Sequence, residues 1–279
     1  MRDAIIGICR FSFLGKCDWV ETRDADGGSD RVLSARLPKI YDPARLERRF
    51  EAFEKLCLPS IKAQTDPDFQ FWFLTSPEMP VRWLERLRDL TAAIPQVRII
   101  VSAERTPMDA LQMPLRAAAD AAGRPVIQFR TDDDDAFSRH HVARIRKQAA
   151  RFPDLPGFGI SYPEGLVFGS FEGDPVSYHR AHQSFVGAGA ALRMRAPGRC
   201  IYAFNHAQIP KFFPAFTSIE GLGYVQTRWD ASDSAGHTPG RWPYWFKPIS
   251  HTEFNAALQE DFPFLNGVDL GFVQKKGAA

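Results

Sequence analysis

Four consecutive carboxylates, Asp132-Asp133-Asp134-Asp135, follow the apolar run Val126-Ile127-Gln128-Phe129 and precede a predicted basic helix from about Phe137 to Arg151. Two carboxylates about 4 Å apart repel by roughly 4 kcal/mol at an effective dielectric near 20. A site that gathers several therefore favours a cation among them. Oxygen-only donors select Mg²⁺ or Mn²⁺, which bridge protein carboxylates to substrate phosphates. A plainer reading competes with this one: a solvated acidic loop in which Asp134, Asp135 or Ser138 caps the next helix. Capping and metal binding can also be divided within the run. Other acidic-site chemistries fit less well. A calcium loop opening at Asp132 requires Gly at its sixth position and Glu at its twelfth, where Phe137 and Ala143 stand. An aspartyl-phosphate site wants a small hydroxyl residue after its Asp-x-Asp, and Ala136 occupies that place. No Gly-rich, Lys-containing phosphate loop is present.

A strand end must hold such carboxylates, and the first half of the chain alternates strand and helix. The apolar runs Ile5–Phe13, Phe69–Thr75, Val97–Val101 and Val126–Phe129 read as strands. Between them, Asp42-Pro43 opens a helix in which Leu46, Phe50, Phe53, Cys57 and Ile61 recur at helical spacing, with a kink or break predicted at Pro59. Val81–Ala93 and Met108–Ala122 are further predicted helices. The long Gly-, Asp- and Arg-rich connection from Leu14 to Tyr41 is a candidate functional loop. The expected fold class is α/β, a mainly parallel sheet flanked by helices. It places the acidic run at the carboxyl edge, where open α/β sheets bind ligands. After Phe152 the composition turns to Pro, Gly and aromatic residues. Gly165–Phe171, Val186–Met194 and Leu222–Arg228 read as short strands of an antiparallel half. The expectation is one domain with halves at about 1–152 and 153–279.

The 279 residues carry 35 basic and 33 acidic side chains for a net charge of +2, which points to no nucleic-acid or membrane-surface partner. Four irregularly spaced cysteines form no Cys-x-x-Cys, so neither a zinc ribbon nor a disulfide framework is expected, and a reducing compartment suits them. No signal peptide or membrane-spanning run is evident. The expected location is the cytoplasm, with contact to the inner membrane only through a membrane-bound acceptor.

The helix ending Cys57-Leu58-Pro59-Ser60-Ile61-Lys62-Ala63-Gln64-Thr65, followed by Phe69 to Ser76 and then by Arg130 and Asp132-Asp133-Asp134-Asp135-Ala136, resembles the opening of a GT-A glycosyltransferase and is similar to a bacterial rhamnosyltransferase family. The resemblance is carried from about Arg49 to His141. It implies a GT-A-like (Rossmann-like) fold, a nucleotide-diphosphate-sugar donor, rhamnose as one candidate sugar, and Mn²⁺ or Mg²⁺ on the donor's diphosphate. Asp132 and Asp134 would stand at the acidic positions of the family's Asp-x-Asp motif, and Asp133 would face the ribose or assist the metal. A C-terminal His often completes such sites, and His251 is the candidate, with a hydrogen-bonded surface His as its alternative.

Arg10 and Ser76 close the first and second predicted strands, so both would face the nucleotide; Arg suits anion recognition. An acceptor hydroxyl needs a general base. Asp230, in Thr227-Arg228-Trp229-Asp230-Ala231-Ser232-Asp233, is the candidate, with Asp233 and Glu220 behind it and Trp229 available to stack on a sugar. The acceptor would be a hydroxyl of a glycan or a lipid-linked glycan. The alternatives are a sugar-nucleotide pyrophosphorylase or hydrolase, or a glycan-binding protein without catalysis.

Overall fold

The computed structural model describes residues 3–16, 29–171, 174–229 and 242–270. Strands β1 (Ile5–Arg10), β2 (Gln70–Thr75), β3 (Val97–Val101) and β4 (Ile127–Arg130) run parallel in the order β3-β2-β1-β4. Parallel strands covered on both faces read as near-continuous apolar runs, and alternate side chains here feed two separate cores. Phe71 and Phe73 join Phe11, Phe50 and Phe53 on one face, while Trp72 and Leu74 join Ile6, Ile8, Leu111 and Leu115 on the other.

The strands of the second half are split: some extend the parallel sheet and the rest form a smaller one. β5 (Asp135–Phe137), β6 (Phe158–Ser161), β7 (Glu164–Ser170), β8 (Ser177–His182), β9 (Ala191–Arg193), β10 (Ala215–Thr217), β11 (Tyr224–Trp229) and β12 (Phe246–Ile249) divide between two sheets. The larger has the order β10-β6-β9-β4-β1-β2-β3, with β9 antiparallel to both its neighbours. The smaller has the order β12-β8-β7-β11-β5, antiparallel except for the β7–β11 pair. The predicted α/β class holds, and the acidic run forms the crossing from one sheet to the other.

Helix α1 (Asp30–Ile40) occupies part of the predicted Leu14–Tyr41 loop. Ser29 caps it by accepting from the Val32 N–H, and Leu33 and Ile40 are its buried apolar residues. α2 (Pro43–Ala52) begins as its sequence predicts, with the Asp42 carboxylate accepting from the Arg45 N–H at 2.8 Å. Pro59 has no N–H to offer the carbonyl four residues back. The chain meets it with a π-helical turn over Phe53–Cys57, and α3 (Leu58–Lys62) then continues the rod. α4 (Val81–Thr91) and α5 (Pro107–Ala122) follow as expected.

The helix predicted from Phe137 starts later, as α6 (His141–Ala149), because Asp135–Phe137 is recruited as a strand by β11. α7 (Ile209–Phe212) is a single turn. α8 (His251–Asp261) opens with a reciprocal cap: Ser250 Oγ accepts from the Glu253 N–H, and the Glu253 carboxylate accepts from the Ser250 N–H. No helix among the described residues is long and apolar enough to cross a membrane.

His141, at the start of α6, lies inside the core against the rings of Phe129, Phe137 and Tyr162. Burial, with Arg144 nearby, lowers its pKa to about 3. An unfolded His takes up a proton near pH 6.5, so between these values the unfolded state binds more protons than the folded one. The stability contributed by neutral His141 is fully present above pH 6.5 and drains as pH falls towards 3, with a slope of up to about 1.4 kcal/mol per pH unit. Unfolding midpoints measured from pH 7 to pH 4 should therefore fall more steeply for the parent protein than for His141→Leu. Parallel profiles would count against this role.

Candidate functional site

The acidic run is a tight turn with strand-like alternation. The Thr131 N–H donates to the Ile8 carbonyl at 3.3 Å, and the Asp135 N–H donates to the Asp132 carbonyl at 3.3 Å. Asp133 and Asp135 are buried, at 0% and 2% exposure, whereas Asp132 and Asp134 are half-buried. Two carboxylates are spent on the protein and two face the site.

Asp133 is gripped by Arg49 of α2, whose Nε donates to Oδ2 at 2.9 Å and whose Nη2 donates to Oδ1. Burial pushes the Asp133 carboxyl up to about 6, against the pull of Arg49. Asp135 accepts from Gln226 Nε2 at 3.3 Å and from the Thr227 N–H at 3.4 Å. Burial first, then the charges of Asp134 and Asp132, hold it well above the usual carboxylate range. Thr227 Oγ1 donates to the Asp134 carbonyl at 2.7 Å, and Trp229 Nε1 donates to its carboxylate at 3.3 Å. Trp229 is thus a buried brace for Asp134, not the sugar platform suggested by its sequence position.

Asp132 faces a glycine turn. A Cβ added at Gly187 would stand 3.3 Å from Asp132 Oδ2, so glycine leaves room beside that carboxylate. Gly189, at φ +94°, donates its N–H to the Arg130 carbonyl at 2.7 Å and lies against His141. Sequence pattern places a strand over Val186–Met194. Only Ala191–Arg193 is one, because the glycines bring the backbone up to the acidic turn instead. Isolated glycines within a strand pattern signal such an approach.

The helix motif that accompanies the acidic run acts directly on it. Ser60 Oγ accepts from the Phe137 N–H at 3.2 Å and donates to the Leu56 carbonyl at 2.7 Å. Gln64 donates to the Ser138 carbonyl at 2.8 Å and accepts from the Val142 N–H at 3.0 Å. The Thr65 N–H donates to the Arg139 carbonyl at 2.8 Å. Ser60, Gln64 and Thr65 therefore clamp residues 137–142, the segment that leaves the turn.

Arg10, at the end of β1, lies 4.4 Å from the Tyr202 ring centroid, and Arg130 lies 4.6 Å from the same centroid. Tyr202 donates its hydroxyl to the Ile8 carbonyl at 3.0 Å; burial raises its pKa, the Arg130 and Arg10 charges oppose the rise, and the Asp132 charge adds to it. Two cations and an aromatic ring thus share the neighbourhood of Asp132. Arg10 is where the strand pattern puts it; Tyr202 carried no sequence signal.

Three of the expected site residues have partners within the protein. Asp133, expected to face the ribose or assist the metal, has both its oxygens turned inward onto Arg49. Ser76 is buried, and its hydroxyl accepts from the Leu14 N–H at 2.8 Å, shaping the chain beyond β1. His251 lies on α8 after β12, at the opposite edge of the smaller sheet from β5. Its ring lies 5.0 Å from that of Tyr178 on β8, three strands away from β5 in the sheet order, and it bonds to Asn255 at 2.9 Å. Asp230 and Asp233 lie outside the described residues. Glu220 is an exposed partner of Lys147 at 2.8 Å.

Among the described residues, no group of three or more His, Cys, Asp or Glu side chains is gathered as a metal site. A Mg²⁺-like ion that keeps several waters and binds substrate phosphates needs only one or two protein carboxylates. Asp132 and Asp134 would supply those two carboxylates.

The family model described as "Putative rhamnosyl transferase" matches residues 4–241. No curated protein matches the chain. Among solved structures, S. aureus TarS 1–349 is similar at 9% identity with a TM-score of 0.40, covering 81% of this chain and 60% of that one. The same fragment in complex with UDP gives 9% and 0.39, covering 82% and 61%. This chain thus spans about three-fifths of that structure's length. A structure described as a putative nucleotide-diphospho-sugar transferase from Desulfovibrio desulfuricans G20 is similar at 8% identity and TM-score 0.36, covering 84% of each chain. Likenesses this distant carry no functional weight.

Removing one partner of a buried ion pair leaves the other charge uncompensated, typically at a cost of about 3–5 kcal/mol. Chemical denaturation should show a loss of about that size for Arg49→Met, and Arg49→Met combined with Asp133→Leu should recover much of it. An Arg49→Met protein as stable as the parent would contradict the pairing.

Proposed function

We propose that this chain, which belongs to the putative rhamnosyl transferase family and is a glycosyltransferase, moves a sugar from a nucleotide-diphosphate donor to an acceptor hydroxyl with the help of Mn²⁺ or Mg²⁺ at the acidic turn. The observation that carries this reading is the alternation within the turn: Asp133 and Asp135 are locked inward while Asp132 and Asp134 remain half-open at the carboxyl end of β4. In this reading Asp132 and Asp134 would hold the cation beside the donor's diphosphate. When bound, the cation supplies Lewis-acid stabilisation of the charge that develops on the leaving diphosphate.

The chain's own residues do the rest. Gly187 leaves space beside Asp132 for the donor to approach. Arg10, held against Tyr202, supplies positive field where phosphate charge gathers, a role suited to a guanidinium that stays protonated. Trp229 fixes the Asp134 carboxylate through its indole N–H. Asp230 is next in the chain, and that adjacency retains it as the proposed base for the acceptor hydroxyl. Rhamnose is the candidate sugar because of the family's name. Glycan and lipid-linked hydroxyls both suit the acceptor role. Family membership favours glycosyl transfer over the pyrophosphorylase reading.

Thermal-shift measurements with nucleoside diphosphates and nucleotide sugars, each with and without Mn²⁺, test the donor site. A ligand at 100 times its Kd stabilises the folded state by about 2.7 kcal/mol. The expected result is a shift that requires Mn²⁺ and disappears in Asp132→Asn and Asp134→Asn, with turnover falling by orders of magnitude. Shifts indifferent to Mn²⁺ and to both substitutions would overturn the assignment. For the base, Asp230→Asn should keep the donor-induced shift and abolish transfer; normal turnover would remove Asp230 from that role.

A further inference from the structure

At the opposite edge of the smaller sheet, a cavity of about 410 Å³ opens between α8 and β8. Cavities of roughly 300–1,000 Å³ suit small organic ligands, above all where aromatic walls carry a few polar groups. Tyr178 lines this one with Phe254 and His251, whose ring centroids each lie 5.0 Å from its own. Asn255 and Asp269 add amide and carboxylate groups to the lining. Ring faces beside hydrogen-bonding groups match a sugar, which presents C–H faces and hydroxyls together.

One row along the same sheet face, Arg180 and Lys247 stand directly opposite each other across the β8–β12 pair. They share the Tyr178 side because residues two apart on a strand point the same way. Both are exposed. Like charges directly opposed across strands are destabilising, and neither cation has an ion-pair partner among the described residues. Glu164, one row further, is already engaged by His182 at 2.6 Å. The pair therefore carries concentrated positive charge beside a cavity with sugar-like complementarity.

We propose that the α8–β8 cavity and the Arg180–Lys247 pair form a binding site for an acidic oligosaccharide. One sugar unit packs against Tyr178, with His251 and Asn255 meeting its hydroxyls, and an anionic group on the neighbouring unit sits between the two cations. In the order β5-β11-β7-β8 the cavity is three strand spacings from the acidic turn, or about 14 Å. That distance is a few sugar units, so the site would anchor an acceptor chain at a distance from its reacting end. The anchoring role rests on the glycosyl-transfer reading; binding at the cavity does not.

Calorimetric titration at low salt with three probes tests the site: hexagalacturonate, a phosphorylated maltooligosaccharide, and neutral maltohexaose. At least one acidic probe should bind tenfold or more tightly than maltohexaose, and the better acidic probe identifies carboxylate or phosphate as the preferred anion. Arg180→Gln with Lys247→Gln should abolish that preference. Tyr178→Ala should weaken acidic and neutral probes alike, with Asn255→Ala on the exposed side of α8 as the second cavity variant should Tyr178→Ala prove unstable. All of these variants should keep the nucleotide-induced thermal shift of the parent, which separates this site from the donor site. Equal affinity for acidic and neutral probes, an acidic preference that survives loss of both cations, or no binding of any probe would overturn the proposal.

Discussion

The buried pair of Arg49 and Asp133 is the constraint around which the site is arranged. Burying a carboxylate and a guanidinium costs several kcal/mol per ion before their attraction offsets it, and the two-point geometry seen here is the form in which that attraction is strongest. Once Asp133 is fixed inward, strand-like alternation leaves Asp132 and Asp134 no choice of side, and Asp135 follows Asp133 into the protein. The two half-buried carboxylates are thus oriented by one that is itself buried.

That pair depends on α2 arriving in one register. The Asp42 cap fixes where the helix starts, the packing of Phe50 and Phe53 against Phe11 fixes its face, and the π-helical turn before Pro59 sets where Ser60 and Gln64 emerge. The same rod thereby holds the acidic turn by a charge at one point and holds its exit by hydrogen bonds at another. From the opposite side, the glycine turn through Gly187 and Gly189 brings backbone, with no side chain, up to Asp132. The acidic turn bridges the two sheets, so the parallel strands position its entry and β11 positions its departure.

Much of this was legible in the sequence because it is local. The apolar runs of β1 to β4, the cap at Asp42 and the predicted break at Pro59 all follow from residues close together in the chain. The acidic run was visible too, but which of its members faces inward was not, because Arg49 lies 84 residues away. Ser76 follows a strand end as its position in the run predicts, but its partner, the Leu14 N–H, lies 62 residues away in the chain and has no local signature. Around His251, Ser250 and Glu253 spell a helix cap, but the sheet order that sets it apart from Asp132 cannot be read from spacing. α1 escaped notice because composition outweighed the Ser29 cap and the few apolar residues that follow it.

The most direct test is a crystal structure with Mn²⁺ and the nucleoside diphosphate that gives the largest Mn²⁺-dependent thermal shift, the ion located by its anomalous scattering. Mn²⁺ should bridge the diphosphate to Asp132, Asp134 or both, beside Gly187, with Asp133 still paired to Arg49. An ion bound through Asp133 or His251, or a diphosphate seated away from the acidic turn, would contradict this placement.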